Sequence, residues 1–203
     1  MANFVLVPGG WLGGWAFREV TAELVRQGHR AVPVTLTGLG DRRHLATPGT
    51  GLSTHVADLV QVLEHEELDE VVLVGHSYGI FPVLGAADRR PELIKRIVFL
   101  DAGAPQDGQS VVDAFVHGER RAELEEHVAK RGDGWRFPLP EPGVIERWGS
   151  LVGLDGAARA RMRRLAAPHP YASFTEPLSL TGAVRAVATT GGCSARPTAT
   201  TSR

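Results

Sequence analysis

An α/β fold with a doubly wound, mostly parallel sheet and a helical cap is the class this sequence predicts. Three observations carry it. Short apolar, β-favouring runs alternate with amphipathic helical stretches through the first hundred residues. Glycine-rich or glycine-flanked turns follow two of those runs, at Pro8-Gly9-Gly10 and at Gly75-His76-Ser77-Tyr78-Gly79. The pattern then changes near Ala104 into charged helical segments and Pro-rich loops.

The elements follow in order. Phe4-Val5-Leu6-Val7 reads as a buried strand within 3–7. The loop Pro8 to Trp15 leads into a helix over 14–27, which Gly28 stops. A second strand falls at 31–35. A helix over 53–66 shows Val56, Leu59, Val60 and Leu63 at helical spacing, with His55 and Asp58 off that stripe as structural or solvated residues. Strands at 70–74 and 95–100 flank a helix at 79–89, and Pro91 turns the chain toward the second of them. Pro82 costs that helix little, because an N–H in the first turn has no partner in the helix. Residues 1–103 thus form the core and 104–182 a cap-like region above it. The segment 183–203 reads as a disordered tail, since from Ala188 onward Thr, Ser, Gly and Ala predominate without a bulky apolar residue. Without a later strand, the run Ile97-Val98-Phe99-Leu100 is expected to form an open edge that pairs with other chains.

Bulk properties narrow the function classes. The 203 residues suit one domain with a sizeable core. A net charge of −1 gives no basic face for nucleic acid or an anionic membrane. No apolar run approaches the length of a membrane span, and no charged leader precedes the first apolar stretch. The single cysteine, Cys193, excludes an internal disulfide and fits a cytoplasmic location. No His, Cys or Glu cluster has metal-ligand spacing, so no metal or other cofactor is expected.

The chemistry points to Gly75–Gly79. Strand, sharp turn and helix place Ser77 at the turn apex, clear of the sheet, where a substrate carbonyl can reach its hydroxyl. The glycines two positions to either side leave room for a close strand–helix approach. A backbone N–H in the loop after the first strand, together with the N–H that follows the serine, would make an oxyanion hole. The loop is not a dinucleotide fingerprint, because Trp11 and Leu12 stand where a second glycine is needed, and no Gly-Lys-Ser/Thr follows for a P-loop.

Taken together, several segments resemble the α/β-hydrolase branch of plant-type methylesterases, hydroxynitrile lyases and bacterial esterases. They are the Gly9-Gly10-Trp11-Leu12-Gly13-Gly14-Trp15 opening, Leu36 to Arg42, Leu52 to Asp58, the Gly75–Gly79 elbow, Phe99-Leu100-Asp101-Ala102 and Ser173 to Leu178. The resemblance implies that Ser77 is the nucleophile, that backbone N–H groups of Gly10 and Tyr78 hold the oxyanion, and that the partner is a small carboxylic ester. It implies that a cap supplies the substrate pocket, with Trp135, Phe137, Trp148, Tyr171 and Phe174 in that region. Pro8 replaces the usual histidine and Ile80 the usual glycine. Gly9 stands where the lyases carry threonine, which favours an esterase.

The resemblance also implies an acid and a histidine later in the chain, in the order serine, acid, histidine. The last histidine here is His169, inside the cap-like stretch, and no Gly-His-Asp-type turn follows a late strand. The expectation is a chain truncated relative to its family, by a shifted reading frame. The nucleotide sequence beyond the gene tests this, and an in-frame end with no family-like sequence in any frame overturns it. Among substitute bases, His44 could approach the site from its loop and His169 from the cap, while the place of His76 on the elbow sends its side chain elsewhere. Asp101 ends the strand after the nucleophile helix, where some α/β-hydrolases place their acid, but the resemblance implies a structural role for it here. The rival reading is an inactive small-molecule binder or a non-functional fragment.

Overall fold

The computed structural model describes residues 1–116, 118–147 and 153–192. Its main sheet has five strands: β1 (Asn3–Val7), β2 (Arg30–Pro33), β3 (Val71–His76), β4 (Ile94–Leu100) and β7 (Ala188–Gly192). All pair in parallel, in the order β2-β1-β3-β4-β7. The central strands carry near-continuous Val and Leu because helices cover both of their faces. On one face α1 (Arg18–Arg26) lies over Leu6 and Val74, with Phe17 between them. On the other face α2 (Leu52–His65) and α3 (Ile80–Arg89) cover Val5, Val7, Leu73 and Ile97, all fully buried.

From β1 the chain steps outward to β2, then returns across β1 to form β3 and continues the opposite way. The topological switch therefore lies between β1 and β3. In open α/β sheets, ligands bind outside the carboxyl ends of the strands at this place. The loop Pro8–Gly10 leaves β1 there and Ser77 leaves β3 there.

The predicted elements lie within a few residues of the observed ones. The stretch after Gly13 differs, because a 3-10 turn at Gly14–Phe17 precedes α1. On α2 the buried residues are Leu52, His55, Val56, Leu59 and Leu63. His55 therefore belongs to the core face, and Val60 is only half-buried.

The expected tail needs a larger correction. Ala183–Ala186 forms a 3-10 turn, and Ala188–Gly192 adds β7 to the sheet. Disorder from Ala188 and an open edge at residues 95–100 are therefore both overturned up to Gly192. The β4 strand is interior and β7 is the edge, while residues 193–203 lie outside the described residues. Composition misled because β7 takes its order from β4's backbone, not from apolar side chains of its own.

Asp88, at the end of α3, aligns the chain for this. Its carboxylate accepts from the N–H of Thr181 (2.5 Å), Gly182 (3.1 Å) and Val184 (3.0 Å) and from the Thr181 hydroxyl (2.9 Å). Burial pushes its pKa up, but the bonds from Val184, Thr181 and Gly182 outweigh this and hold it below the ordinary value.

The remaining elements form the cap. They are α4 (Val111–Phe115), α5 (Glu119–Arg131), β5 (Arg136–Phe137), α6 (Pro142–Arg147), α7 (Gly156–Leu165), β6 (His169–Pro170) and α8 (Ala172–Thr175), with β5 and β6 antiparallel. A capping box between Ser110 and Asp113 starts α4, and Asp155 caps α7. Val111, Val112, Leu124, Val128, Phe137 and Phe174 all belong to the same core as the sheet.

Asp88→Ala should cost about 2–4 kcal/mol, because it strands three backbone N–H groups. Urea unfolding measures this, and amide exchange should rise first across residues 188–192. Because its folded pKa is depressed, the contribution of Asp88 is full above the unfolded value and is lost as pH falls through the folded one. Wild type should therefore lose stability below about pH 4 more steeply than Asp88→Asn.

Candidate active site

The elbow is built by steric exclusion. A Cβ on Gly75 would lie 2.7 Å from the Cα of Ile80. One on Gly79 would lie 2.6 Å from the Val7 carbonyl oxygen and 2.7 Å from that of Pro8. Only glycine lets β3, α3 and the end of β1 come this close. The serine between them has φ +50°, in the left-handed region that costs a side-chain-bearing residue about 1 kcal/mol or more. Ser77 is exposed, and no described residue hydrogen-bonds its hydroxyl.

The loop after β1 lies against the serine. A Cβ on Gly9 would meet the Ser77 Cβ at 3.1 Å and the His76 Nδ1 at 2.9 Å. The Gly10 N–H has no partner among the described residues. Tyr78 sits in the first turn after the elbow, where helical N–H groups lack intrahelical acceptors. The three residues singled out from the sequence, Gly10, Ser77 and Tyr78, thus belong to two loops in contact.

The candidate bases fare differently. The His76 ring packs on the Gly9 side, where burial lowers its pKa and the Asp101 charge partly opposes this. His44 is exposed on the 3-10 turn Gly40–Leu45. His169 is fully buried with both ring nitrogens engaged, Nδ1 to the Trp11 N–H at 3.1 Å and Nε2 to the Ser173 hydroxyl at 2.9 Å. It is not free to serve Ser77. His55 is likewise buried between the Tyr78 hydroxyl (2.6 Å) and the Thr37 carbonyl (2.8 Å). Asp58 accepts from the backbone N–H and hydroxyl of Thr37 and pairs with Arg42, a structural role.

Sequence reasoning missed this buried histidine pair. For His55 the signal was its place beside Val56, one turn from Leu52 and from Leu59. For His169 it was the flanking prolines of Pro168-His169-Pro170, which fix a short strand. Of the cap aromatics, Phe137 and Phe174 are core. Phe174 stacks on Tyr78 at 5.2 Å, and Phe137 meets Trp11 edge-on at 5.1 Å. Trp135 and Tyr171 are half-buried, and Trp148 lies outside the described residues. A cleft of about 800 Å³ opens beyond β2, lined by Trp15, Arg18, Thr35, Arg43 and Arg164, and Ser77 takes no part in it. Among the described residues no cluster of His, Cys, Asp or Glu could hold a metal, and no helix is long and apolar enough to cross a membrane.

The chain as a whole has counterparts among known proteins. The family model described as "Alpha/beta hydrolase family" matches residues 4–196. The chain belongs to this family. It is 37% identical over 199 residues to a carbendazim hydrolyzing esterase of Nocardioides sp. (strain SG-4G), covering 92% of this chain and 77% of that one. It is 35% identical over 114 residues to putative methylesterase 14, chloroplastic, of Arabidopsis thaliana, covering 56% of this chain and 33% of that protein. Among solved structures, an extracellular α/β-hydrolase from a Paenibacillus species superposes with a TM-score of 0.82 at 27% identity, covering 94% of this chain and 76% of that one. The chain therefore has the α/β-hydrolase fold and is of esterase type, spanning about three-quarters of these two bacterial relatives.

Gly79→Ala should destabilise the hydrolase by about 2–3 kcal/mol in urea unfolding, because the atoms it meets are main-chain oxygens that cannot rotate away. The control is Gly156→Ala, where an added Cβ meets nothing within 4 Å, and stability should not fall.

Proposed function

We propose that this hydrolase cleaves small carboxylic esters through an acyl-serine at Ser77, with the oxyanion held by the N–H groups of Gly10 and Tyr78. The observation that carries the reading is Ser77 itself, exposed at φ +50° between two glycines that nothing larger could replace. In the proposed cycle Ser77 Oγ bonds to the ester carbon, and the carbonyl π electrons move onto oxygen between the two N–H donors. Collapse of that intermediate breaks the ester C–O bond and releases the alcohol. The leaving oxygen takes a proton from solvent, which also carries off the one Ser77 gave up. Water then attacks the acyl-serine, the Oγ–acyl bond breaks, a proton returns to Oγ and the acid is released.

The proton of Ser77 must go somewhere, and no described histidine receives it. Bulk water is a poor acceptor, so turnover should be low. Loss of a triad histidine costs about a million-fold in turnover, while the oxyanion site and binding retain about 10³–10⁴ over water. That no described histidine takes this proton also favours a second reading, in which the chain binds esters without turning them over.

A p-nitrophenyl acetate assay separates the two, with Ser77→Ala as control and carbendazim as a further substrate prompted by the bacterial relative. Slow hydrolysis that Ser77→Ala abolishes supports the esterase, and no difference from Ser77→Ala supports the binder. Ordinary enzyme turnover abolished by His44→Ala would identify a substitute base. Fluorophosphonate labelling of Ser77 should be faint, because no described residue accepts a hydrogen bond from its hydroxyl and so raises its nucleophilicity. Strong stoichiometric labelling would show that a base acts on it.

A further inference from the structure

Behind the elbow, the hydrogen-bond partners fix each imidazole in one tautomer. The Thr37 carbonyl can only accept, so His55 carries its proton on Nε2 and takes the Tyr78 O–H on Nδ1. The Trp11 backbone N–H can only donate, so Nδ1 of His169 is a lone pair and Nε2 carries the proton. That proton goes to Ser173 Oγ, whose own hydroxyl donates to the Pro170 carbonyl at 2.8 Å. Every donor meets an acceptor and neither ring is charged, which is how such groups survive complete burial. Burial holds the pKa of both histidines down, in keeping with this. The rings pack as well as bond, with His169 4.5 Å from the Tyr78 ring and 5.8 Å from the His55 ring.

Trp11 is what His169 holds. It has φ +65°, the left-handed region a large side chain seldom adopts. It is the third residue of a tight turn closed by Leu12 N–H to the Gly9 carbonyl at 3.3 Å, a position that favours glycine. Three bonds to the cap hold it there. His169 takes its N–H, the Phe137 carbonyl takes its indole N–H at 2.8 Å, and its carbonyl accepts from the Ala167 N–H at 2.9 Å. A Cβ on Gly10 would come 3.8 Å from the same His169 Nδ1, so the ring lies directly under this peptide.

We propose that His169 is a positioning residue of the oxyanion site, fixing the Gly10–Trp11 peptide in the turn that directs the Gly10 N–H toward the carbonyl bound at Ser77. This rests on the reading of Gly10 as an oxyanion donor. Through His169 the cap thereby acts on the chemistry by way of one lone pair on a buried neutral ring.

The test compares two substitutions in the full chain. In His169→Asn the amide oxygen can take the place of Nδ1 and still accept from Trp11. In His169→Gln the amide reaches the place of Nε2, and the acceptor for Trp11 is lost. Hydrolysis of p-nitrophenyl acetate and amide exchange at Trp11 are measured on both. For His169→Gln, kcat should fall about tenfold with KM within about twofold, since one oxyanion donor removed outright costs about 10²–10³. Trp11 exchange should rise about tenfold or more. His169→Asn should recover most of both effects. Equal losses in the two variants, or an exposed Trp11 amide with unchanged kcat, would overturn the proposal. If wild type shows no Ser77-dependent hydrolysis, the esterase reading fails separately. The positioning role is then decided by the Gly10 amide resonance: a shift in His169→Gln alone upholds it, and no shift in either variant refutes it.

Discussion

Nothing larger than hydrogen fits between Gly79 and the carbonyl oxygens of Val7 and Pro8. The rest of the site depends on that contact. It brings the end of β1 against the turn leaving β3, two segments already joined by the parallel register that pairs Val7 with Gly75. With the strands in register and the turn pressed this close, Ser77 must take a left-handed conformation to pass the chain from strand to helix. The serine stands out of the sheet because the surrounding backbone leaves no other route. The strain is held by a core in which α3 is buried from Ile80 to Asp88.

Much of this was legible in the sequence because it is local. Apolar runs at Phe4–Val7 and Val71–Val74 announce buried strands, and a serine with glycines two residues to either side announces the turn. What stayed hidden depends on distant partners. No sequence pattern shows that the Ala188-Thr189-Thr190 stretch finds a β-strand edge, since its ladder bonds come from backbone that any composition supplies. His169 reads as a candidate base because a histidine's chemistry is visible in sequence. Its engagement is visible only once Trp11 and Ser173 are placed around it. His55 was set aside as off the apolar stripe, yet a histidine whose two nitrogens are both satisfied packs like an apolar residue.

The cap is tied to the core in two ways. Its apolar side chains merge with the main core, as Phe174 on Tyr78 shows. Its polar attachments converge on Trp11, which gives up both of its N–H groups and its carbonyl to cap residues. A cap anchored on the loop beside the serine cannot shift without disturbing that loop. Movement of the cap and the shape of the loop beside Ser77 are therefore mechanically coupled in this architecture.

The strand β7 has a kinetic meaning as well as a structural one. Its partner in the sheet is far back along the chain: the Arg96–Thr190 side-chain bond joins residues 94 positions apart. Closing a loop of that length costs on the order of 4 kcal/mol in chain entropy before any ladder bond forms. The strand brings little apolar surface of its own to offset this. Its pairing is therefore expected to follow collapse of the intervening cap and capture of Thr181–Val184 by Asp88. Late pairing of a distant parallel strand makes folding slow. Until it happens the β4 edge stays exposed, so the interval between synthesis and closure is when this chain is most vulnerable to pairing with its neighbours.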